Sequence, residues 1–187
     1  MRRGKFILTA LAIYPLANYA NRISTMMENI SNGFKVATGE ARFGIHYKMK
    51  GVTLNKLDVK ISSKDTNGEL AVFEQIGFTP HGGPPLHVHP YQDEYFYVLE
   101  GEYHFQVGDE KYELKMGDTI FLPRNVQHAF VQRTEKGRLI VSYNPAGKME
   151  DFFKTTDSWT SPPTMAEITK AFEDHDMKIV GPPLKVS

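Results

Sequence analysis

Cysteine is absent from this chain, which excludes disulfides, thiolate-ligated zinc and thiol nucleophiles. Any bound metal must take its ligands from histidine, carboxylate or neutral oxygen groups. Net charge is missing as well. The 22 basic and 22 acidic side chains balance across 187 residues, so no long-range field recruits nucleic acid or an anionic membrane, and nucleic acid is not an expected partner. The apolar run Phe6–Tyr14 is too short to span a bilayer, so no stable membrane span is expected. Internal repeats and low-complexity segments are lacking too. What remains is a chain of one-domain size, long enough to bury a substantial core.

That apolar run follows Met1-Arg-Arg-Gly-Lys5 and precedes Pro15-Leu-Ala-Asn-Tyr-Ala20. A basic start and about ten apolar residues have the layout of a secretory signal peptide. Export to a periplasmic or extracellular location is the expectation for residues 1–22, with an N-terminal helix on a cytoplasmic protein as the alternative. No clean small-x-small cleavage site is present, because Asn18 stands where a small residue is expected before Ala20.

From Phe34 onwards the texture is that of short strands. Val52–Leu54, Leu57–Ile61 and Leu70–Ile76 alternate apolar and polar positions, and Asp65-Thr-Asn-Gly68 between the last two has hairpin-turn chemistry. Further strands are expected over Glu94–Leu99, Tyr103–Val107, Lys111–Met116, Thr119–Leu122, Ala129–Arg133 and Arg138–Tyr143, with Gly101, Gly108 and Gly117 between them. Many short strands without intervening long helices predict an all-β sandwich or barrel. Residues 34–147 are assigned to this unit. Residues 148–187 are expected to be a helical extension packed on it: a short helix near Lys148–Lys154, then one over Met165–His175. Thr164 and Glu167 have capping-box spacing, and Met165, Ile168 and Phe172 form an apolar stripe.

The chemistry concentrates between Gly82 and His128. His87 and His89 are separated by one residue, so on a strand both imidazoles face the same way. Glu94 follows after a short connection and His128 on a later strand. Three neutral nitrogens and one anionic oxygen suit a divalent Fe, Mn, Ni, Co, Cu or Zn ion and leave positions open for substrate or dioxygen. Parity places Glu94, Phe96 and Val98 on one face, and His128 with Phe130 and Gln132 on another. The metal pocket is therefore expected to have aromatic and aliphatic walls. His46, His81, His104 and His175 lack partners at ligand spacing and are expected at the surface.

The spacings His87-x-His89-x4-Glu94-x6-Gly101 and Gly117-x5-Pro123 with His128 resemble the two motifs of the cupin superfamily. Asn125 stands where the second motif has glycine, and Gln132 where it closes with asparagine. The likeness runs from about Gly39 to Tyr143, and the tail from Glu150 to Leu184 is similar to small quercetin-dioxygenase-like cupins. The resemblance implies a jelly-roll β-barrel holding one divalent metal on His87, His89, Glu94 and His128. It further implies a dioxygenase-type oxidoreductase acting on a small enol or phenolic, flavonol-like substrate, with Glu94 as the catalytic base. A binding cupin without turnover and a cupin isomerase or lyase are the alternatives. A homodimer is one way to cover open barrel edges.

Overall fold

Alternation of apolar and polar side chains folds the chain into two antiparallel sheets. The structure, a computed structural model, describes residues 33–53 and 55–185. The expected signal peptide or helix over residues 1–22 lies outside the described residues. The strands are β1 (His46–Met49), β2 (Asn55–Ile61), β3 (Ala71–Gly77), β4 (Pro85–Val88), β5 (Asp93–Glu100), β6 (Glu102–Val107), β7 (Glu110–Lys115), β8 (Thr119–Leu122), β9 (His128–Gln132), β10 (Gly137–Asn144) and β11 (Lys178–Pro183). Helices α1 (Met149–Ser158) and α2 (Met165–Asp174) stand between β10 and β11.

One sheet has six strands in the order β1-β2-β3-β10-β5-β8, and the other five in the order β11-β4-β9-β6-β7. Sequential neighbours alternate between sheets along much of the chain, which is a jelly-roll arrangement of the all-β class expected. Between the sheets lies an apolar core built from Leu57, Val59, Phe73, Phe96, Val98, Phe105, Leu139 and Val141, all nearly inaccessible to water. Phe96, Phe105 and Phe130 pack with ring centroids 5.2 to 5.5 Å apart. They fill one end of the barrel with large aromatic area, and the polar cluster occupies the space beyond.

Three local expectations change. Where a strand is expected at Val52–Leu54, residues 50–52 form a turn, because Gly51 takes a φ of +74°; Leu54 lies outside the described residues, and the strand comes earlier as β1. Met165 is exposed, so the apolar stripe of α2 is Ile168, Ala171 and Phe172. The capping box of Thr164 and Glu167 forms as expected. The C-terminal segment is more than helical: its last described strand, β11, returns to the barrel and pairs with β4.

Candidate metal centre

His87 and His128 are directly opposite each other in the β4–β9 ladder, with ring centroids 4.5 Å apart. His89 follows two residues after His87 and shares its face. Glu94, near the start of β5, comes from the facing sheet and reaches across the barrel interior. Sequence-local features enforce this meeting. A Cβ at Gly83 would overlap the backbone carbonyl of Phe130, so only glycine lets the approach to β4 lie against β9. Asn125 has a φ of 64°, the left-handed conformation that asparagine tolerates best among non-glycine residues. Its backbone N–H donates to the His89 carbonyl at 2.9 Å, tying the turn before His128 to His89. On the surface, Arg124 grips the Asp93 carboxylate through Nε at 3.1 Å and a terminal nitrogen at 2.6 Å, which joins the loops preceding His128 and Glu94.

The four side chains are buried, and one ligand atom from each lies within 4.8 Å of all the others. His87 Nε2 is 3.1 Å from His89 Nε2. Glu94 Oε1 is 3.1 Å from His89 Nε2, and its Oε2 is 3.5 Å from His128 Nε2. Ligands about 2.1 Å from one shared ion at roughly right angles lie about 3 Å apart, so these separations suit a common cation.

The outer nitrogens settle two tautomers. His87 Nδ1 donates to the Pro85 carbonyl at 2.8 Å and His128 Nδ1 to the Val126 carbonyl at 3.0 Å. A carbonyl only accepts, so each Nδ1 carries the proton and each Nε2 presents its lone pair inward. His128 Nε2 is buried without a hydrogen-bond partner among the described residues. An inward lone pair with no donor is the kind of orphan that a metal ion satisfies. The residues present therefore fit the group.

Charge follows the same logic. Burial opposes ionisation of Glu94, but attraction to His89 and His128, a hydrogen bond with His89 and the influence of His87 outweigh it and hold the carboxyl down at about 2. Burial pushes His87 well below its usual value, and repulsion from His128 and His89 adds to that. Burial likewise lowers His128, against the pull of Glu94. One carboxylate and neutral imidazoles at His87 and His128 are the protonation states that metal ligation needs.

The cluster faces a small cavity of about 30 Å³. Phe96 and Phe130 from the barrel, Met149, Phe152 and Phe153 from α1, Phe172 from α2 and Met177 just before β11 close it in. The Phe172 ring stands edge-on to His87 at 5.3 Å. Apolar walls were expected from strand parity; the contribution of the two helices was not.

Two polar residues of the cavity escape sequence reasoning. Tyr143, opposite Glu94 in the β5–β10 ladder, hydrogen-bonds its carboxylate. Burial raises this phenol well above its ordinary value, and the Glu94 charge adds to the effect. Gln75 on β3 also lines the cavity. Both sit on strands remote in sequence from the two motifs, so no spacing points to them. Among the remaining histidines, His46 is exposed and pairs with the buried Asp58 at 2.6 Å, and His81 is exposed. His104 is half-buried beside Glu113. His175 departs from its expected surface position: it is buried, with Nδ1 donating to the Ala171 carbonyl at 2.6 Å and its ring against Phe152.

Residues 75–143, which contain all four cluster residues, match the family model for the cupin domain. The chain is 30% identical over 95 residues to quercetin 2,3-dioxygenase of Bacillus subtilis, covering 50% of this chain and 27% of that protein. It is 29% identical over 66 residues to protein SchB of Streptomyces halstedii, covering 35% of this chain and 48% of the relative. The chain thus spans less than half the length of either relative. An RmlC-like cupin from Shewanella frigidimarina superposes with a TM-score of 0.52 at 27% identity, over 65% of this chain and 96% of that one. The polyketide cyclase RemF from Streptomyces resistomycificus shares the fold with a TM-score of 0.51 at 22% identity, over 62% of this chain and 80% of its own. Together, the two-sheet barrel and the matching domain model identify residues 75–143 as a cupin domain.

Proposed function

We propose that this cupin is a divalent-metal-dependent oxidoreductase of the dioxygenase type, acting on a small enol or phenolic substrate. The observation that carries the reading is the convergence of three imidazoles and one carboxylate on a buried point beside an apolar cavity. The partial likeness to a quercetin dioxygenase supports the reaction class. His87, His89, Glu94 and His128 would hold the metal, whose identity is open among Fe, Mn, Ni, Co, Cu and Zn. A bound divalent ion would supply Lewis acidity that lowers the pKa of a coordinated hydroxyl, and a redox-active ion, which zinc is not, would also supply a centre for electron exchange with dioxygen.

The protein side of the chemistry belongs to Glu94 and its surroundings. Glu94 balances the cation and is the base positioned to take the substrate hydroxyl proton. Tyr143 fixes its orientation by hydrogen bonding. The phenylalanines of α1 and α2 exclude water, which strengthens every charge interaction inside. Export under the N-terminal leader belongs to the same proposal.

Oxygen uptake by metal-loaded protein with a panel of enols, catechols and flavonols tests the reading. Oxygen consumption that depends on the metal and matches product formation supports it. Equal turnover in anaerobic and aerobic samples overturns it in favour of an isomerase or lyase, and ligand binding without turnover in favour of a binding protein.

A further inference from the structure

The Gln75 side chain is almost fully buried and lines the same cavity as His87, His89 and Glu94, yet its amide Nε2 has no hydrogen-bond partner among the described residues. Buried donors in native proteins are nearly always satisfied. Phe96, Phe130 and Phe153 offer no side-chain acceptor, and none of the acceptors of His87, His89 and Glu94 in the same wall hydrogen-bonds to Gln75 Nε2. The Tyr143 hydroxyl is already engaged with Glu94. An oxygen acceptor carried by a ligand next to the cluster would complete Gln75.

The cavity volume limits that ligand. About 30 Å³ holds a group the size of a water molecule, so only the head of a substrate fits. Met49 forms part of its wall and is also part of the wall of a second cavity, of about 400 Å³, lined by Lys48, Thr53, Asn55, Lys56 and Phe78. The two are neighbours in the β2–β3 ladder: Gln75 pairs with Leu57, and two residues along Gly77 pairs with Asn55. Methionine is unbranched and repacks readily, so a Met49 rotamer change that released its sulfur from the Thr53 hydroxyl would join the chambers. The outer one has the volume for an aromatic ring system, with the exposed Phe78 as a stacking surface and lysines at its rim.

We propose that Gln75 is the specificity-determining donor of this site, binding the anionic oxygen of an enolate or phenolate whose apolar body occupies the Met49–Phe78 chamber. This deepens the metal-dependent reading above and rests on it.

The test uses the full chain loaded with Co(II), titrated with azide and with 4-nitrocatechol and followed by visible absorption, beside metal stoichiometry and thermal melting. Azide fits the head position alone, whereas 4-nitrocatechol also needs room for its ring. Gln75→Leu and Gln75→Glu are expected to load one cobalt per chain as the parent does and to bind both anions about tenfold more weakly, the range for losing a hydrogen bond to a charged group. Phe78→Ser is expected to weaken 4-nitrocatechol severalfold and to leave azide unchanged. If Gln75→Leu does not fold, Gln75→Glu, which keeps length and shape, decides the matter. Parent-like affinities in a cobalt-loaded Gln75 variant overturn the role of Gln75, and an unaffected Phe78→Ser overturns the outer chamber. A parent chain that takes up no cobalt overturns the metal reading itself.

Discussion

Tyr143 and Glu94 are cross-strand partners in the β5–β10 ladder, and the Tyr143 hydroxyl donates to the Glu94 carboxylate. The carboxylate that the six-stranded sheet supplies to the cluster is therefore held by the adjacent strand of the same sheet. Phe73 and Phe153 pack against the Tyr143 ring at 5.9 and 6.3 Å and fix it in turn. Tyr143→Phe removes the donor while keeping the ring. Because a buried hydrogen bond to a charged group contributes about 1.5–3 kcal/mol, this variant should retain metal but lose about tenfold in turnover. Metal analysis beside steady-state rates checks it, and unchanged turnover would show that Glu94 needs no such support.

The three imidazoles are not equivalent to the carboxylate. His87→Ala or His128→Ala removes an inward nitrogen from opposite ends of one ladder pair and should abolish metal retention. Glu94→Gln keeps a neutral oxygen in place and should hold metal partially, with turnover strongly reduced because the base is gone. Elemental analysis of purified protein decides; full occupancy in both histidine variants would refute the ligand assignment.

Acidification should destabilise the metal-free protein. Burial lowers His87 and His128 below their ordinary 6.5, so below that pH the unfolded chain binds protons that the folded chain refuses. Glu94, held at about 2 against an ordinary 4.5, acts in the same direction: its contribution is complete above 4.5 and is lost as the pH falls towards 2. Melting temperatures of the metal-free chain should therefore fall as the pH drops from 7, first through the histidines and then, below 4.5, through the carboxyl. A flat profile would contradict the neutral-imidazole assignment.

The Arg124–Asp93 clamp is exposed at its arginine, so Asp93→Ala should cost under about 1 kcal/mol of global stability. Its effect should be local. The clamp joins the loops preceding His128 and Glu94, and releasing it should weaken metal retention severalfold. Competition with a chromophoric chelator, run beside a urea melt, separates the two effects.

The convergence of the four side chains was legible in the sequence because His87, His89 and Glu94 lie within a few residues of each other and strand parity fixes their faces. Asn125 was legible for a related reason: its left-handed conformation is a local property of the turn before His128. Tyr143 and Gln75 were not, since only the pairing of β10 with β5 and of β3 with β10 brings them to the cluster, and register is a long-range outcome. Strand β11 was hidden by composition, because Gly181 and two prolines argue against a strand and it forms at a sheet edge where they are tolerated. His175 looked like a solvated helix end, yet the packing of α2 on α1 through Phe152 and Phe172 draws it inside.

The position of β11 bears on the order in which the molecule is completed. Lys178 and Ile179 pair with Val88 and His87, so the strand that carries His87 and leads into His89 remains an open sheet edge until residues 178–183 have left the ribosome. Helices α1 and α2, which roof the cluster, are also translated after all four of its residues. Enclosure of the cluster thus waits on residues 149–183, made well after His128.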